Sequence, residues 1–424
     1  MRILIVCKSL PHAFKGGIQT HVWELSGELV ARGCEVTILT AGSWRNGKEV
    51  ISMAGRRIVY LPYPPGRRVP FLRKTLEDVS FNIAAFGWLR EHSGDYDRIH
   101  LQGRSGCFYA AVMPKDSTPV VTTFHRLLNV EYEYDGQQTN WLDSWLHLGI
   151  MHGAERAAAR NTHHAIAVSE EMKRELNEYV GAPLAPISIL PNGVHASFGD
   201  YVAEPDPWRL VFVGRLERIK GVFTLLEAMP KMDERVQLTL VGDGPERKAL
   251  EQLSRKLGLR LRVQFLGDQD SESVRYWIQR SYALVLPSFH ESQGIVLLEA
   301  GICGRPVIAA SAPGINEVII HGENGLMFPA GDATSLSVVT NHLFRNPKLA
   351  ERLGQTGRAR AETLYDWRRI ADQTVEVYAN VGCAGVGERW LQRSPANSPG
   401  TASAAVPTPA TSGVSSSPAI AVRA

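Results

Sequence analysis

Several features that would set a narrow function are missing from this 424-residue chain. Its five cysteines, Cys7, Cys34, Cys107, Cys303 and Cys383, are scattered and form no CxxC pair. That argues against a disulfide frame or a zinc site and for thiols in a reducing compartment. No charge of one sign dominates: the formal net charge of +3 is too small to hold nucleic acid by its field. No uncharged apolar run is long enough to span a bilayer, and the opening "MRILIVCKSL" is broken by Lys8, so it reads as a strand rather than an export signal. The GxGxxG fingerprint of a dinucleotide site is absent, as is any short-period repeat. The expected setting is cytoplasmic, with no nucleic-acid partner.

What remains is an ordinary globular composition, 44% hydrophobic and 21% charged, in a chain long enough for two cores. Short apolar runs alternate with amphipathic stretches. "RILIV" (2–6), "EVTIL" (35–39), "RIVYL" (57–61), "RIHL" (98–101), "PVVTT" (119–123), "HAIAV" (164–168) and "ISIL" (187–190) read as strands. Between the first two, Ile18, Val22, Leu25 and Leu29 keep helical spacing and Gly33 supplies a stop, which makes a βαβ unit. After "PNGVHASFGDYVAEPDPW" (191–208), whose Pro, Gly and Asp suggest a linker, the pattern restarts. Its strands are "RLVFV" (209–213), "VQLTLV" (236–241), "RVQFL" (262–266), "ALVL" (283–286) and "PVIA" (306–309). The fold class is α/β, two doubly wound domains in tandem, expected at 1–195 and 205–364, and ligands of such sheets bind at strand C-terminal ends. The Ser-, Ala- and Pro-rich stretch 394–424 reads as a disordered tail.

Each half opens with a strand and a loop suited to anions. Gly16-Gly17 begin a helix, where free N–H groups favour a phosphate, although paired glycines before a helix are more often a simple turn. "VFVGRLERIKG" sets Arg215 and Lys220 on the loop leaving a strand; two cations there can hold a diphosphate, or be a solvated pair. "SFHESQGIVLLEA" (288–300) carries Glu291 at a strand-to-helix loop and Glu299 one to two turns into the helix. Carboxylates accept pairs of hydroxyl hydrogen bonds, so the two suit a polyol such as a ribose or a sugar ring. The plain alternative is Glu291 as a helix-dipole partner and Glu299 on a solvated face, but Leu297, Leu298, Ala300 and Ile302 crowd Glu299 with apolar neighbours.

Together, "GGIQTHV", "GRLERIKG", "GDGPE", "HESQGIVLLEAGICGRPVIA" and "APGINEVIIHGENGLMF" resemble the retaining GT-B glycosyltransferases of the family 4 type, over roughly 1–380. The resemblance implies two Rossmann-like domains facing across a cleft, an N-terminal acceptor domain and a C-terminal donor domain, with a crossover helix at 365–381 packing back on the first. It implies transfer of a sugar from a nucleotide-diphosphate donor to an acceptor hydroxyl with retention of configuration. The acceptor is a glycan, a lipid-linked group or a small molecule. Arg215 and Lys220 match residues that neutralise the diphosphate, Glu291 one that contacts the transferred sugar, Glu299 one that binds the ribose, and His125 in "TTFHR" a histidine beside the donor sugar. Gly16, Gly17 and Gly294 belong to the donor site by the same match. Two departures stand out: His195 where aspartate is common, and Gln293 where an aromatic residue is usual, which would alter the sugar accepted. No metal on an Asp-x-Asp carrier and no other cofactor are expected. A nucleotide-sugar epimerase or a binding protein that has lost catalysis are the alternatives, the latter disfavoured by intact Arg215, Lys220, Glu291 and Glu299. The basic segment 66–90, with Arg67, Arg68, Arg73 and Lys74, reads as a core helix with a solvated basic end or as a peripheral contact with the inner face of a membrane.

Overall fold

A computed structural model describes residues 1–381 except 13–15, 44–46, 65–68, 115, 136–140, 182–184 and 201–203. The tail at 394–424 and the basic residues Arg67 and Arg68 lie outside the described residues.

The first sheet comprises β1 (Arg2–Val6), β2 (Glu35–Gly42), β3 (Glu49–Met53), β4 (Arg56–Pro62), β5 (Arg98–Gln102), β6 (Val120–Phe124), β7 (His164–Ala167) and β8 (Ile187–Ile189). Their order is β3-β4-β2-β1-β5-β6-β7-β8, parallel except where β3 joins antiparallel at the edge. β1 shows why the central strands read as continuous apolar runs. Ile3 and Ile5 enter one core with Val22, Leu25 and Leu29 of the helix Gly17–Ala31, and Leu4 and Val6 enter the opposite core with Phe81, Ala85 and Leu89 of the helix Arg73–His92. β3 escaped the sequence pattern because it is mostly exposed, with only Ile51 partly packed.

The second sheet runs β11-β10-β9-β12-β13-β14, parallel throughout, from β9 (Asp206–Val213), β10 (Gln237–Val241), β11 (Val263–Gly267), β12 (Ser281–Leu286), β13 (Val307–Ser311) and β14 (Gly325–Pro329). β9 begins three residues earlier than "RLVFV". In the described part of the stretch read as a linker, Gln279 Nε2 donates to the Phe198 carbonyl at 3.3 Å, and the Val194 N–H donates to the Tyr365 carbonyl at 2.7 Å, so that part is packed against its neighbours.

The chain therefore crosses between the sheets twice side by side, at Val194 and at Asp366, which pair as a parallel bridge. The last described helix, Trp367–Asn380, buries Trp367, Ile370 and Tyr378 in the core of Ile3 and Ile5, and Arg98 Nε and His100 Nδ1 meet the Tyr378 carbonyl and hydroxyl at 2.6 Å each. In the basic segment, the helix Arg73–His92 buries Phe81, Trp88 and Leu89, and Arg73 bonds Glu77, as a core helix would. No described helix is long and apolar enough to cross a membrane.

Candidate active site

Every candidate side chain lies beyond the C-terminal end of a parallel strand, where such sheets leave a crevice. Gly16 and Gly17 follow β1, His125 follows β6, Arg215 and Lys220 follow β9, and Glu291 and Glu299 follow β12. Gly17 lies against the Ile295 side chain, so the N-termini of the helices Gly17–Ala31 and Ile295–Ile302, one from each domain, approach one another. Neither has a side-chain cap or an acidic residue in its first turn. Their leading N–H groups suit an anion. Gly16 and Gly294 are the N-cap residues of the two helices.

Lys220 ends a single 3-10 turn, Arg218–Lys220, closed by Gly221 at φ 66°. A Cβ at 221 would collide with the Pro287 carbonyl oxygen, so glycine lets this turn press on the end of β12, where Phe289 N–H donates to the Ile219 carbonyl at 2.8 Å. That contact sets Lys220 Nζ 2.6 Å from Glu291 Oε1, with Ser288 Oγ donating to the same oxygen at 2.8 Å. Burial would raise the Glu291 carboxyl, but the Lys220 ammonium, the charge of Arg126 and the Ser288 hydroxyl outweigh it and hold the group below its usual range. The Glu291 backbone is braced by Gly314, at φ 74°, whose Cβ position is filled by the Glu291 carbonyl. Gly314→Ala is expected to displace this loop, cutting turnover and lowering the melting temperature by several degrees, since strain there is about 1–3 kcal/mol. Calorimetry beside kinetics checks it, and an unshifted melting temperature would show that the loop yields freely.

The other candidates are placed differently. Arg215 is half-exposed and pairs with Glu217 at 2.9 Å, so the structure brings Lys220 but not Arg215 to Glu291. Glu299 is half-buried, and no hydrogen bond or ion pair from the described residues reaches its carboxylate; burial pushes it up to about 7. His125 is buried with Nε2 2.8 Å from Gln102 Oε1, and burial, with the neighbouring His21 and His100, lowers it well below its ordinary value, so it is neutral.

Two readings are corrected, and a third residue gains a location. Gln293, which stands where the resemblance expects an aromatic residue, is buried with its amide turned to Asn192. His195 does more than end the linker: its Nε2 sits 2.9 Å from Glu24 on the glycine-loop helix. The expectation of no Asp-x-Asp carrier also has a wrong sequence premise, because two such triplets occur, Asp95-Tyr96-Asp97 and Asp268-Gln269-Asp270. In the first, Asp97 binds the backbone N–H and guanidinium of Arg2, at the strand-beginning edge of the first sheet. In the second, Asp268 accepts from the Asp243 N–H and Asp270 caps the helix Ser271–Arg280, beyond the edge strand β11.

Several interdomain groups escaped sequence reasoning. The Glu317 carboxylate accepts from the Glu170 and Glu171 N–H groups at 2.8 and 2.7 Å, capping the helix Glu170–Val180 of the other domain, and His290 Nε2 meets Glu175 at 2.6 Å. Only position offered a signal: Ser288 and His290 lie within "SFHESQG", and Arg126 follows His125.

Two family models match in tandem, Glycosyltransferase Family 4 over residues 15–198 and Glycosyl transferases group 1 over 196–360. Phosphatidyl-myo-inositol mannosyltransferase of Mycobacterium leprae is 30% identical over 400 residues, spanning 91% of this chain and 98% of the relative. The chain belongs to the family 4-type GT-B glycosyltransferases. Glycogen synthase of Mycobacterium tuberculosis is 27% identical over 412 residues, covering 92% of this chain and 97% of that one. Among solved structures, sucrose-phosphate synthase from Thermosynechococcus elongatus superposes with a TM-score of 0.78 at 26% identity, covering 89% and 98% of the two chains. Anabaena HepE, solved with UDP-glucose, shares the GT-B fold with a TM-score of 0.68 at 19% identity over 90% and 100%. In this glycosyltransferase the two family matches meet at 196–198, beside the first crossing between the sheets.

Proposed function

We propose that this glycosyltransferase moves a sugar from a nucleotide-diphosphate donor to an acceptor hydroxyl with retention and without a metal. The observation that carries it is the buried Lys220–Glu291 pair, at 2.6 Å, in the loops that end β9 and β12, with an uncapped helix N-terminus from each domain nearby. Glycosyl transfer builds oxocarbenium-like charge at the anomeric carbon while a diphosphate departs. Lys220, Arg215 and the helix amides act as donors to the leaving diphosphate, Glu291 and neutral His125 sit beside the sugar, and Glu299 takes the ribose hydroxyls. Anabaena HepE holds UDP-glucose on the same fold.

A thermal-shift panel of UDP-, GDP-, ADP- and dTDP-sugars identifies the donor, since ligand binding raises the apparent melting point by linkage. Proton NMR of the product made with it then reads the anomeric configuration, using a lipid-linked inositol and a glucan as acceptors because the relatives are named for phosphatidyl-myo-inositol and glycogen. An inverted product overturns retention. Release of nucleoside diphosphate without an acceptor, alongside an altered donor sugar, overturns transfer in favour of epimerisation. Turnover is expected to survive excess EDTA, because protein cations and amides neutralise the diphosphate; loss of activity restored by Mg²⁺ or Mn²⁺ overturns that part.

A further inference from the structure

One side chain at the site has contacts that the proposed chemistry does not use. The Asn192 backbone N–H, which can only donate, reaches the Gln293 side chain at 2.6 Å, so the atom it meets is the carbonyl oxygen Oε1. That oxygen is also 2.7 Å from the Asn192 side chain, so the Asn192 atom facing it is the amide nitrogen Nδ2. The other end of Asn192 is then Oδ1, an acceptor, and it lies 2.9 Å from Nδ1 of His21. His21 must donate there. Burial lowers the His21 pKa to about 4, so at neutral pH the ring carries one proton, on Nδ1, and the buried Nε2 is bare, with no hydrogen-bond partner among the described residues. The ring stands edge-on to His125, centroids 4.6 Å apart, and to Trp367, at 5.3 Å.

We infer that Gln293 is a positioning residue: reaching across from the donor domain, it locks Asn192, which sets the tautomer of His21 and so the packing of His125. The three residues come from different parts of the molecule. Gln293 lies in the loop after β12, Asn192 just before the first crossing between sheets, and His21 on the glycine-loop helix. The chain of contacts is complete only when the domains face each other as they do here. A phenylalanine at 293 offers no oxygen to Asn192 and would leave the His21 proton unassigned. The role of His125 beside the sugar rests on the function proposed above; the tautomer of His21 does not.

The test is histidine ¹⁵N spectroscopy on the full chain, with the His21 signal among the 13 histidines identified by its loss in His21→Gln. Wild type is expected to show His21 protonated on Nδ1. Gln293→Leu should convert this to a tautomer mixture, lower kcat about ten-fold and change donor KM by less than about three-fold, with free nucleoside diphosphate bound as before. Gln293→Glu keeps an accepting oxygen for both Asn192 donors but loses the Nε2 donation to the Asn192 carbonyl at 3.2 Å; His21 is expected to stay protonated on Nδ1 in it, with some loss of stability. A wild-type His21 protonated on Nε2 overturns the inference without any variant, so a misfolded Gln293→Leu does not shield it. An unchanged His21 pattern and kcat in folded Gln293→Leu overturns it as well. Absence of transfer from any donor by the wild type would defeat the proposed function and leave the spectroscopic result standing.

Discussion

Lys220→Ala is expected to lower kcat at saturating donor by about 10²–10³, the usual cost of losing a preorganised donor to developing charge. In the resting protein this ammonium donates to Glu291 Oε1, the oxygen that also accepts from the Ser288 hydroxyl. As the glycosidic bond breaks, negative charge grows on the diphosphate, and a cation already held in a buried loop responds without reorganising. Arg215→Ala should act in the same direction but less strongly, because its guanidinium is half-exposed and pairs with Glu217. Removing Lys220 also strips a buried carboxylate of its counter-charge, which gives a second readout. In wild type the Glu291 pKa is depressed, so its stabilising contribution is present above the ordinary carboxyl range and is lost as pH falls. Without Lys220 burial dominates and the pKa rises, so the variant loses stability as pH increases. The melting-temperature gap between wild type and Lys220→Ala should therefore widen from pH 4 to pH 7. Near wild-type turnover, or a gap independent of pH, would remove Lys220 from the leaving-group site.

Glu299→Gln is expected to weaken binding of the free nucleoside diphosphate by about 1.5–3 kcal/mol, by replacing charge-assisted hydrogen bonds to the ribose with neutral ones. The same substitution should stabilise the unliganded protein at alkaline pH. Glu299 has a folded pKa raised to about 7, so its stabilising contribution is complete below the unfolded carboxyl range and is lost as pH rises through 7. At pH 8 the ionised group costs about 3 kcal/mol, and glutamine removes that cost. Ribose hydroxyls favour the ionised form, so the wild-type advantage in affinity over Glu299→Gln should grow from pH 6 to pH 8. Titration of the phosphate itself cancels in that comparison. Glu291→Gln behaves differently: it releases Lys220, so diphosphate affinity should hold or improve while turnover of the intact donor falls. Calorimetric titration of both variants at two pH values decides the matter, and equal losses of diphosphate affinity would show that the two glutamates do not divide ribose from sugar.

Much of this was legible before any coordinates. Parallel strands buried on both faces must be continuously apolar, so "RILIV" and "ALVL" announced the sheets, and the loops after them announced the positions of Gly16, Gly17, Lys220, Glu291 and Glu299. The edge strand β3 was not legible because an exposed strand needs no apolar pattern, and β9 began early because Asp206 pairs with β12 through backbone alone. What the sequence by itself determined is the tandem α/β architecture and the strand-end loops that carry the candidate residues, because residue type and period act locally. Which residues face one another was decided only by the tertiary structure. Lys220 with Glu291, Gln293 with Asn192 and Glu317 with the helix at Glu170 are separated by 71, 101 and 147 positions. The first pair meets because β9 and β12 are neighbours in one sheet, the other two because the two sheets face each other, and no local periodicity encodes either arrangement.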